Sequence, residues 1–236
     1  MTWTDEAHQI EGMTQRHFTL DGANGPVPGV SWSPIDGPAD RLLLLGHGGT
    51  LHKKVEYIQL VAQYAVTKGF QAVAIDGPGH GERAFPDIEQ DDDWFVNTWH
   101  RGGGTDGIVA DWEATVTFME QEHSPRPTAW WGLSMGTMMG LPVVVNDRRI
   151  SVSVLGLMGG WGPNADDLTR LAPKLDRPLR FLLQWDDEVV PRAQCLDLFD
   201  KIGSERKTLH ANPGLHANVP EVEVVSSIDY LDQYLK

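Results

Sequence analysis

The feature that most constrains the fold is a repeated alternation of short apolar segments with longer segments of helical spacing. The apolar segments cover residues 42–46, 72–75, 128–133, 152–157, 180–184 and 207–210, and the helix-patterned segments cover 55–67, 105–122, 191–202 and 219–235. Residues 42–45 and 181–183 are apolar without a break, which is typical of strands covered by helices on both faces. The alternation therefore predicts an α/β fold, in which helices flank a mostly parallel sheet.

Two segments depart from this alternation. Extended runs at 16–20 and 29–32, joined by a Gly- and Pro-rich stretch at 21–28, predict an antiparallel, hairpin-like start. Residues 85–104 combine five acidic side chains with Trp94, Phe95 and Trp99. We expect the acidic part to be a solvated loop, and the aromatic part to pack against the body of the protein or over a pocket. Within the regular part, Asp106 is expected to cap a helix, and Pro142 to bend or end another.

The length and charge of the chain limit its organisation and its partners. A chain of 236 residues suits a single domain over 1–236. Its 33 acidic and 19 basic residues leave a net charge of −14, which repels phosphate backbones and anionic lipids. Neither nucleic acid nor a membrane is therefore expected as a partner. The N-terminal segment has no apolar core, so we expect a cytoplasmic protein without a signal peptide. The oligomeric state is not indicated.

Metal ions and nucleotide cofactors are not expected. The single cysteine, Cys195, excludes a thiolate-rich zinc site and is expected to be a buried apolar side chain in a helix. The nine histidines are scattered and form no H-E-x-x-H motif. Residues 79–84 fit G-x-G-x-x-A, but Pro86 and five acidic residues follow, where a pyrophosphate would need a helix N-terminus.

A G-x-S-x-G motif at 132–136 is the strongest indication of chemistry. It lies between the apolar run 128–131 and a small-residue segment at 135–141 that is predicted to be helical. A strand that turns abruptly into a helix lifts a serine hydroxyl clear of the sheet, and a Cβ at either flanking glycine would crowd that turn. Ser134 is therefore the candidate nucleophile.

A serine hydroxyl needs a base, and the base needs a carboxylate that orients it. His216 lies in a loop between the last predicted strand and the last helix, from which an imidazole can reach the carboxyl edge of the sheet. His210, at the end of the preceding strand, is the alternative base. Asp187, in an acidic segment at a strand end, is the candidate orienting acid, with Asp186 as the alternative.

Two backbone amides are candidates for holding a developing oxyanion. Met135 is the residue after the candidate nucleophile, and Gly49 lies in a His-Gly-Gly segment that follows the predicted strand at 42–45. We expect His47, in the same segment, to hold the loop rather than to act as a second base.

The ordered set of these segments resembles the α/β-hydrolase superfamily over nearly the whole chain. The pieces that carry the resemblance are residues 47–49, 76–81, 132–136, 187–191 and 214–216. The chain is most similar to compact bacterial esterases and dienelactone-hydrolase-like proteins, although a dienelactone hydrolase proper has a cysteine where Ser134 stands. The resemblance implies an eight-stranded, mostly parallel sheet with an antiparallel second strand, an acyl-serine intermediate and a small-molecule ester as substrate.

One departure from the family pattern concerns the cap. Relatives with a large helical cap insert it after the sixth strand, where this chain has only residues 158–178. We therefore expect an open site, with Trp161 and the aromatic side chains at 94–99 as candidate walls or, alternatively, as core residues. A lyase, a cofactor-free oxygenase, or a hydrolase of lactones, amides or C–C bonds is also compatible with this fold.

Overall fold

The computed structural model describes residues 2–235, so residues 1 and 236 of the predicted domain lie outside it. The strands in this part are β1 (Thr2–Trp3), β2 (His8–Ile10), β3 (Met13–Gly22), β4 (Gly25–Pro34), β5 (Arg41–Gly46), β6 (Phe70–Ile75), β7 (Thr128–Gly132), β8 (Ile150–Gly156), β9 (Leu179–Gln184) and β10 (Lys207–Asn212). The α-helices are α1 (Glu56–Thr67), α2 (Trp94–Arg101), α3 (Gly104–His123), α4 (Met135–Asn146), α5 (Ala165–Leu171), α6 (Arg192–Lys201) and α7 (Glu221–Tyr234).

The strands form one sheet in the order β1-β3-β4-β6-β5-β7-β8-β9-β10, and β2 pairs with β3 at the edge. From β6 to β10 every neighbouring pair is parallel, whereas β4 runs antiparallel to both β3 and β6. Strands β3–β10 thus form the expected eight-stranded, mostly parallel sheet with an antiparallel second strand. The two added strands, β1 and β2, were not predicted because two or three residues are too few to show an alternating pattern.

The central strands are buried on both faces, which explains their unbroken apolar sequences. In β5, Leu42 and Leu44 belong to one hydrophobic cluster, while Leu43 and Leu45 belong to a second. The first cluster includes residues of α3, α4 and α6, and the second includes residues of α1 and α7. Successive side chains of a strand point to opposite faces, so the two clusters lie on opposite sides of the sheet.

The N-terminal hairpin is longer than the one predicted from the sequence. Strands β3 and β4 pair without interruption from Met13 and Pro34 to Gly22 and Gly25, so the predicted loop at 21–28 is mostly strand. The prolines in that stretch precede Gly29, where the pairing of β4 with β6 begins. Their lack of N–H groups therefore removes no hydrogen bond between β4 and β6.

Residues 85–104 are less irregular than predicted. The acidic residues 87–93 precede the helix α2, whose Trp99 is buried in the first cluster and whose Trp94 and Phe95 are half-buried. The expected cap at Asp106 is wrong, because α3 begins two residues earlier and Asp106 lies in its first turn. Gly103 precedes the helix with φ +87°, and a Cβ there would lie 2.3 Å from the Asn24 side chain.

Helix α4 does not end at Pro142, and it continues to Asn146. Proline lacks the N–H that would bond the carbonyl four residues earlier, which here belongs to Met138. The buried side chain of Asn164 donates to that carbonyl instead, with Nδ2 2.9 Å from the oxygen. A side chain from a distant segment thus replaces the missing backbone hydrogen bond.

Between β8 and β9 the chain forms only α5 and one 3₁₀ turn, Ala172–Lys174. The site is therefore not covered by a large cap inserted at this point. Across residues 2–235, none of the helices combines the length and the apolar content that crossing a membrane requires.

Candidate active site

Ser134 lies on a tight turn between β7 and α4. Its φ of 56° and ψ of −121° are unusual for a residue with a side chain, and such backbone typically costs about 1–3 kcal/mol. Its own N–H donates to Gly156 O at 2.9 Å, which ties the turn to β8. A Cβ on Gly136 would lie 2.4 Å from Gly46 O, and one on Gly132 would lie 2.8 Å from Gly136 O. The glycines are therefore required because strand and helix backbones approach closely here.

His216 and Ser134 meet at the carboxyl edge of the sheet, where Ser134 follows β7, Asp187 follows β9 and His216 follows β10. The Ser134 Oγ lies 2.9 Å from His216 Nε2, and His216 Nδ1 lies 2.7 Å from Asp187 Oδ2. An ionised carboxylate only accepts hydrogen bonds, so Nδ1 donates to Asp187 and Nε2 is left to accept from the serine hydroxyl. The Asp187 side chain is completely buried, whereas the imidazole is 16% exposed. The three sequence candidates therefore form one hydrogen-bonded chain.

The acidic residues beside Asp187 support the loop that carries His216. Asp187 Oδ1 accepts from the N–H groups of Val189 and Val190, both at 2.8 Å. Asp186 Oδ2 accepts from Gly214 N at 3.2 Å, and Glu188 Oε2 accepts from the His216 N–H at 2.8 Å. Asp186 thus contacts the loop and not the imidazole.

The alternative base, His210, lies away from this chain of hydrogen bonds. It is part of β10, and its Nδ1 lies 2.9 Å from Glu223 Oε1 on α7. Cys195 is buried in α6, and burial raises the pKa of its thiol to about 12, which keeps it a neutral, apolar side chain as predicted.

The Gly49 and Met135 amides are the two predicted oxyanion donors, and both residues line a cavity with Ser134. Neither N–H donates to another residue within 2–235. Met135 is also the first residue of α4, whose N-terminus carries a partial positive charge. This arrangement suits a negative charge that develops next to Ser134.

Side chains on both sides of Gly49 hold its loop in place. The Gly48 N–H donates to the Tyr57 hydroxyl at 2.6 Å. His47 Nε2 accepts from Gly77 N at 2.9 Å, while its Nδ1 lies 2.8 Å from Gly48 O. Complete burial lowers the pKa of His47 to about 4, so the imidazole is neutral and can accept the Gly77 hydrogen bond. His47 is thus a structural residue, in agreement with its sequence interpretation.

A buried ion pair fastens the far end of the same loop. Lys53 Nζ lies 2.6 Å from Asp76 Oδ2 and 2.5 Å from Glu82 Oε1, and the Lys53 N–H donates to Asp76 Oδ1 at 2.8 Å. Asp76 is fully buried, and despite its burial the hydrogen bonds from Lys53 and Glu82 keep its pKa below the ordinary value. The segment 76–82 therefore anchors the loop that carries Gly49.

Two apolar cavities meet at Ser134 and His216. The α7 cavity, of about 310 Å³, extends between α1 and α7. Its walls include Tyr57, Leu60, Trp131, Leu133, Leu157 and Val224. The α2 cavity, of about 350 Å³, extends below α2 and along α4. Its walls include Trp94, Phe95, Met138, Met158, Trp161 and Val189. Trp161 and Trp94 are thus wall residues, whereas Trp99 is in the core.

Three contributors to the site carried no sequence motif. Tyr57 holds Gly48 from within α1, Glu188 holds the His216 backbone, and Leu60 lines the α7 cavity. Of these, only Glu188 could have been identified from the sequence, because it directly follows Asp187 in a run of three acidic residues. Among residues 2–235, three or more His, Cys, Asp or Glu side chains do not come together in a group suited to a metal ion.

Comparisons with known proteins show the family to which the chain belongs. A family model described as serine aminopeptidase, S33, matches residues 37–158. A PEG-bound structure of a cold-adapted esterase from an Arctic intertidal metagenomic library is 54% identical, with each chain covered completely and a TM-score of 0.93. The native structure of a cold-adapted esterase from such a library is 49% identical, again over all of both chains, with a TM-score of 0.88.

A more distant structure shares the fold alone. The acetyl xylan esterase of Paenibacillus sp. R4 is 14% identical, with 99% of this chain and 88% of that chain covered and a TM-score of 0.77. A search of curated proteins finds no match. The chain belongs to the α/β-hydrolase family whose model is described as serine aminopeptidase, S33, and it is an enzyme of the serine-hydrolase type.

Proposed function

We propose that the protein hydrolyses carboxylic esters of small molecules, with Ser134 as nucleophile, His216 as general base and Asp187 as the orienting acid. The observation that carries this proposal is the 2.9 Å contact between Ser134 Oγ and His216 Nε2. The esterase structures that are 54% and 49% identical over the full chain support the ester as the bond attacked.

In the first half of the reaction, His216 Nε2 takes the hydroxyl proton as Ser134 Oγ attacks the ester carbonyl carbon. The carbonyl oxygen becomes an oxyanion, which the N–H groups of Gly49 and Met135 stabilise. The bond to the alcohol oxygen then breaks, and His216 returns its proton to that oxygen. The alcohol leaves, and the acyl group stays on Ser134.

In the second half, water repeats the sequence on the acyl-enzyme. His216 takes a proton from the water as the water oxygen attacks the acyl carbon. The same amides stabilise the second oxyanion. When the bond to Ser134 Oγ breaks, His216 returns the proton to the serine. Asp187 stabilises the imidazolium in both halves and remains ionised.

Labelling with a fluorophosphonate, read by intact mass, tests the nucleophile. The wild-type protein and Ser151→Ala, a change at an exposed serine of β8, should gain one label and hydrolyse p-nitrophenyl acetate. Ser134→Ala should remain unlabelled, and Ser134→Ala and His216→Ala should each lose roughly 10⁴-fold or more in kcat with an unchanged circular dichroism spectrum. Near-normal turnover in either variant would contradict the proposal.

A further inference from the structure

The two cavities lie on opposite sides of the sheet. Leu133, Leu157 and Val224 of the α7 cavity belong to the hydrophobic cluster that contains α1 and α7 residues. Met135 and Met138 of the α2 cavity belong to the other cluster. Ser134 and His216 line both cavities, so an ester carbonyl placed at Ser134 has one apolar space on each side.

The cavities differ in how far their walls are open to solvent. In the α7 cavity, Leu133, Leu157 and Val224 are 6%, 3% and 8% exposed. In the α2 cavity, Trp161 and Val189 are 43% and 47% exposed. Both cavities therefore have a buried wall, since Met138 and Met158 of the α2 cavity are 0% and 2% exposed. The α2 cavity opens to the surface at two large apolar side chains, whereas, within the described part of the chain, the exposed lining of the α7 cavity is limited to Ala217 and Glu221.

The order of events in ester hydrolysis assigns a group to each cavity. The alcohol leaves before the acyl group does, and water must then reach the acyl carbon from the side that the alcohol has left, because the second half reverses the first. The open cavity suits this exchange, whereas the acyl group stays in place throughout. We therefore propose that the α7 cavity binds the acyl group and limits its length, and that the α2 cavity binds the alcohol.

The walls also define the substrate class. Both cavities are mainly apolar, so the preferred ester has apolar groups on both sides of its carbonyl. Among residues 2–235, the one carboxylate lining the α7 cavity belongs to the exposed Glu221, and its negative charge disfavours a carboxylate on the acyl chain. This inference rests on the proposed ester hydrolysis and adds which acids and alcohols are accepted.

A matched pair of substitutions on α7 tests the assignment. Val224→Phe fills the α7 cavity, whereas Val222→Phe makes the same change at a residue of the same helix that is 73% exposed. Leu60→Trp narrows the cavity from α1 and serves if Val224→Phe does not fold. Trp161→Ala widens the α2 cavity at an exposed side chain.

Two ester series provide the measurement, one with a fixed alcohol and acyl chains from acetyl to decanoyl, the other with a fixed acetyl group and alcohols of increasing size. Val224→Phe should lower kcat/KM for long relative to short acyl chains by about tenfold or more, with Val222→Phe matching wild type. Trp161→Ala should change the alcohol profile and leave the acyl profile as in wild type.

The opposite pattern would overturn the assignment: an alcohol profile that responds to Val224→Phe, or an acyl profile that responds to Trp161→Ala. Equal profiles in Val224→Phe, Leu60→Trp and wild type would also overturn it. These outcomes all require hydrolysis by the wild-type protein, so they differ from failure of the proposed function, which would show as an absence of Ser134-dependent turnover in both series.

Discussion

Asp187 has a separate task for each of its carboxylate oxygens. Oδ2 contacts the imidazole of His216, and Oδ1 accepts two backbone N–H groups from the residues that follow. The first contact sets the tautomer of the imidazole, and the second fixes the direction of the carboxylate. Because the side chain is fully buried, no water can replace either contact without a rearrangement of the loop.

Replacing Asp187 by asparagine removes the negative charge and keeps a side chain of nearly the same shape. An amide next to Nδ1 favours the wrong tautomer, so Asp187→Asn should lower kcat by roughly 10⁴-fold while the protein stays folded. Asp186→Asn is the matched control, because the Asp186 carboxylate accepts from the Gly214 N–H and does not contact the imidazole, and this variant should keep most of the activity. A larger loss in Asp186→Asn than in Asp187→Asn would move the orienting acid by one residue.

His47 gives the stability of the protein a dependence on acid. Burial and, to a lesser degree, the neighbouring His80 lower its pKa from the ordinary value of 6.5 to about 4. Between these two values the unfolded chain binds a proton that the folded protein does not. The free energy of unfolding should therefore fall as the pH decreases from 6.5 to 4, by roughly 3 kcal/mol from this residue, with no further loss below that range.

Urea unfolding between pH 4 and 7 measures this effect. In His47→Gln the amide can still accept from Gly77 N and donate to Gly48 O, but it does not titrate. The decline with decreasing pH should be smaller in the variant than in wild type, since other groups such as His80 titrate in both. Parallel curves for the two proteins would show that His47 does not contribute.

The three residues of the hydrogen-bonded chain were predictable from the sequence, but the residues that hold the surrounding loops in place were not. Ser134, Asp187 and His216 each follow a predicted strand, and parallel strands bring their carboxyl ends to one edge. The catalytic roles of these residues remain proposals. Tyr57 could not be predicted, because a tyrosine inside an amphipathic helix looks like a packing residue until its hydroxyl is seen 2.6 Å from Gly48 N.

Among the elements, α4 shows how a tertiary contact overrides a local rule. Pro142 predicts that the helix bends or ends, and it does not end there, because the Asn164 side chain donates to the Met138 carbonyl. Asn164 is 22 residues after Pro142 in the sequence, beyond the whole of β8. The sequence around Pro142 therefore gives no sign of this hydrogen bond. Predictions of helix ends at prolines fail in this way when a distant donor is available.

A thermodynamic cycle tests this contact. Asn164→Leu leaves the Met138 carbonyl buried without a donor and should lower the free energy of unfolding by about 1–3 kcal/mol. Pro142→Ala restores a backbone N–H that can bond the same oxygen. The Asn164→Leu change should therefore cost less in the Pro142→Ala background, as measured by urea unfolding. Equal costs in the two backgrounds would mean that Asn164 acts through some other contact.

At the scale of the whole molecule, the net charge of −14 should act on the substrate before it binds. Three acidic residues near the site, Asp186, Glu188 and Glu221, are exposed. An ester that carries a carboxylate should therefore have a lower kcat/KM than its neutral counterpart at low salt. Raising the ionic strength should increase kcat/KM for the anionic ester and leave the neutral one nearly unchanged, because salt screens the repulsion.

A cationic ester of the same size is the control, and its kcat/KM should fall as salt is added. If all three esters responded alike, the salt would be acting on the protein and not on the approach of the substrate. The measurement needs only initial rates well below KM, where kcat/KM determines the rate.

The positions of the central strands along the chain were predictable because burial on both faces leaves apolar runs, and their alternation with helices predicted that they would be mostly parallel. The N-terminal edge was not, because β1 and β2 are too short to show an alternating pattern, and the prolines of β4 are typical of a loop. Residues 85–104 show a mixed case: the aromatic half folds as α2 because Trp99 finds a place in the core, while the acidic half has no apolar face to bury.

The alternation of β5 side chains between two hydrophobic clusters separates what lies behind each half of the substrate cleft. The sheet lies between the two clusters, so a substitution in one cluster does not contact the other. The effects of such well-separated substitutions on stability usually add. With the acyl group and the alcohol in the proposed cavities, tolerance for new acids and tolerance for new alcohols can evolve separately. Libraries selected for each trait can be recombined in one chain with little interference.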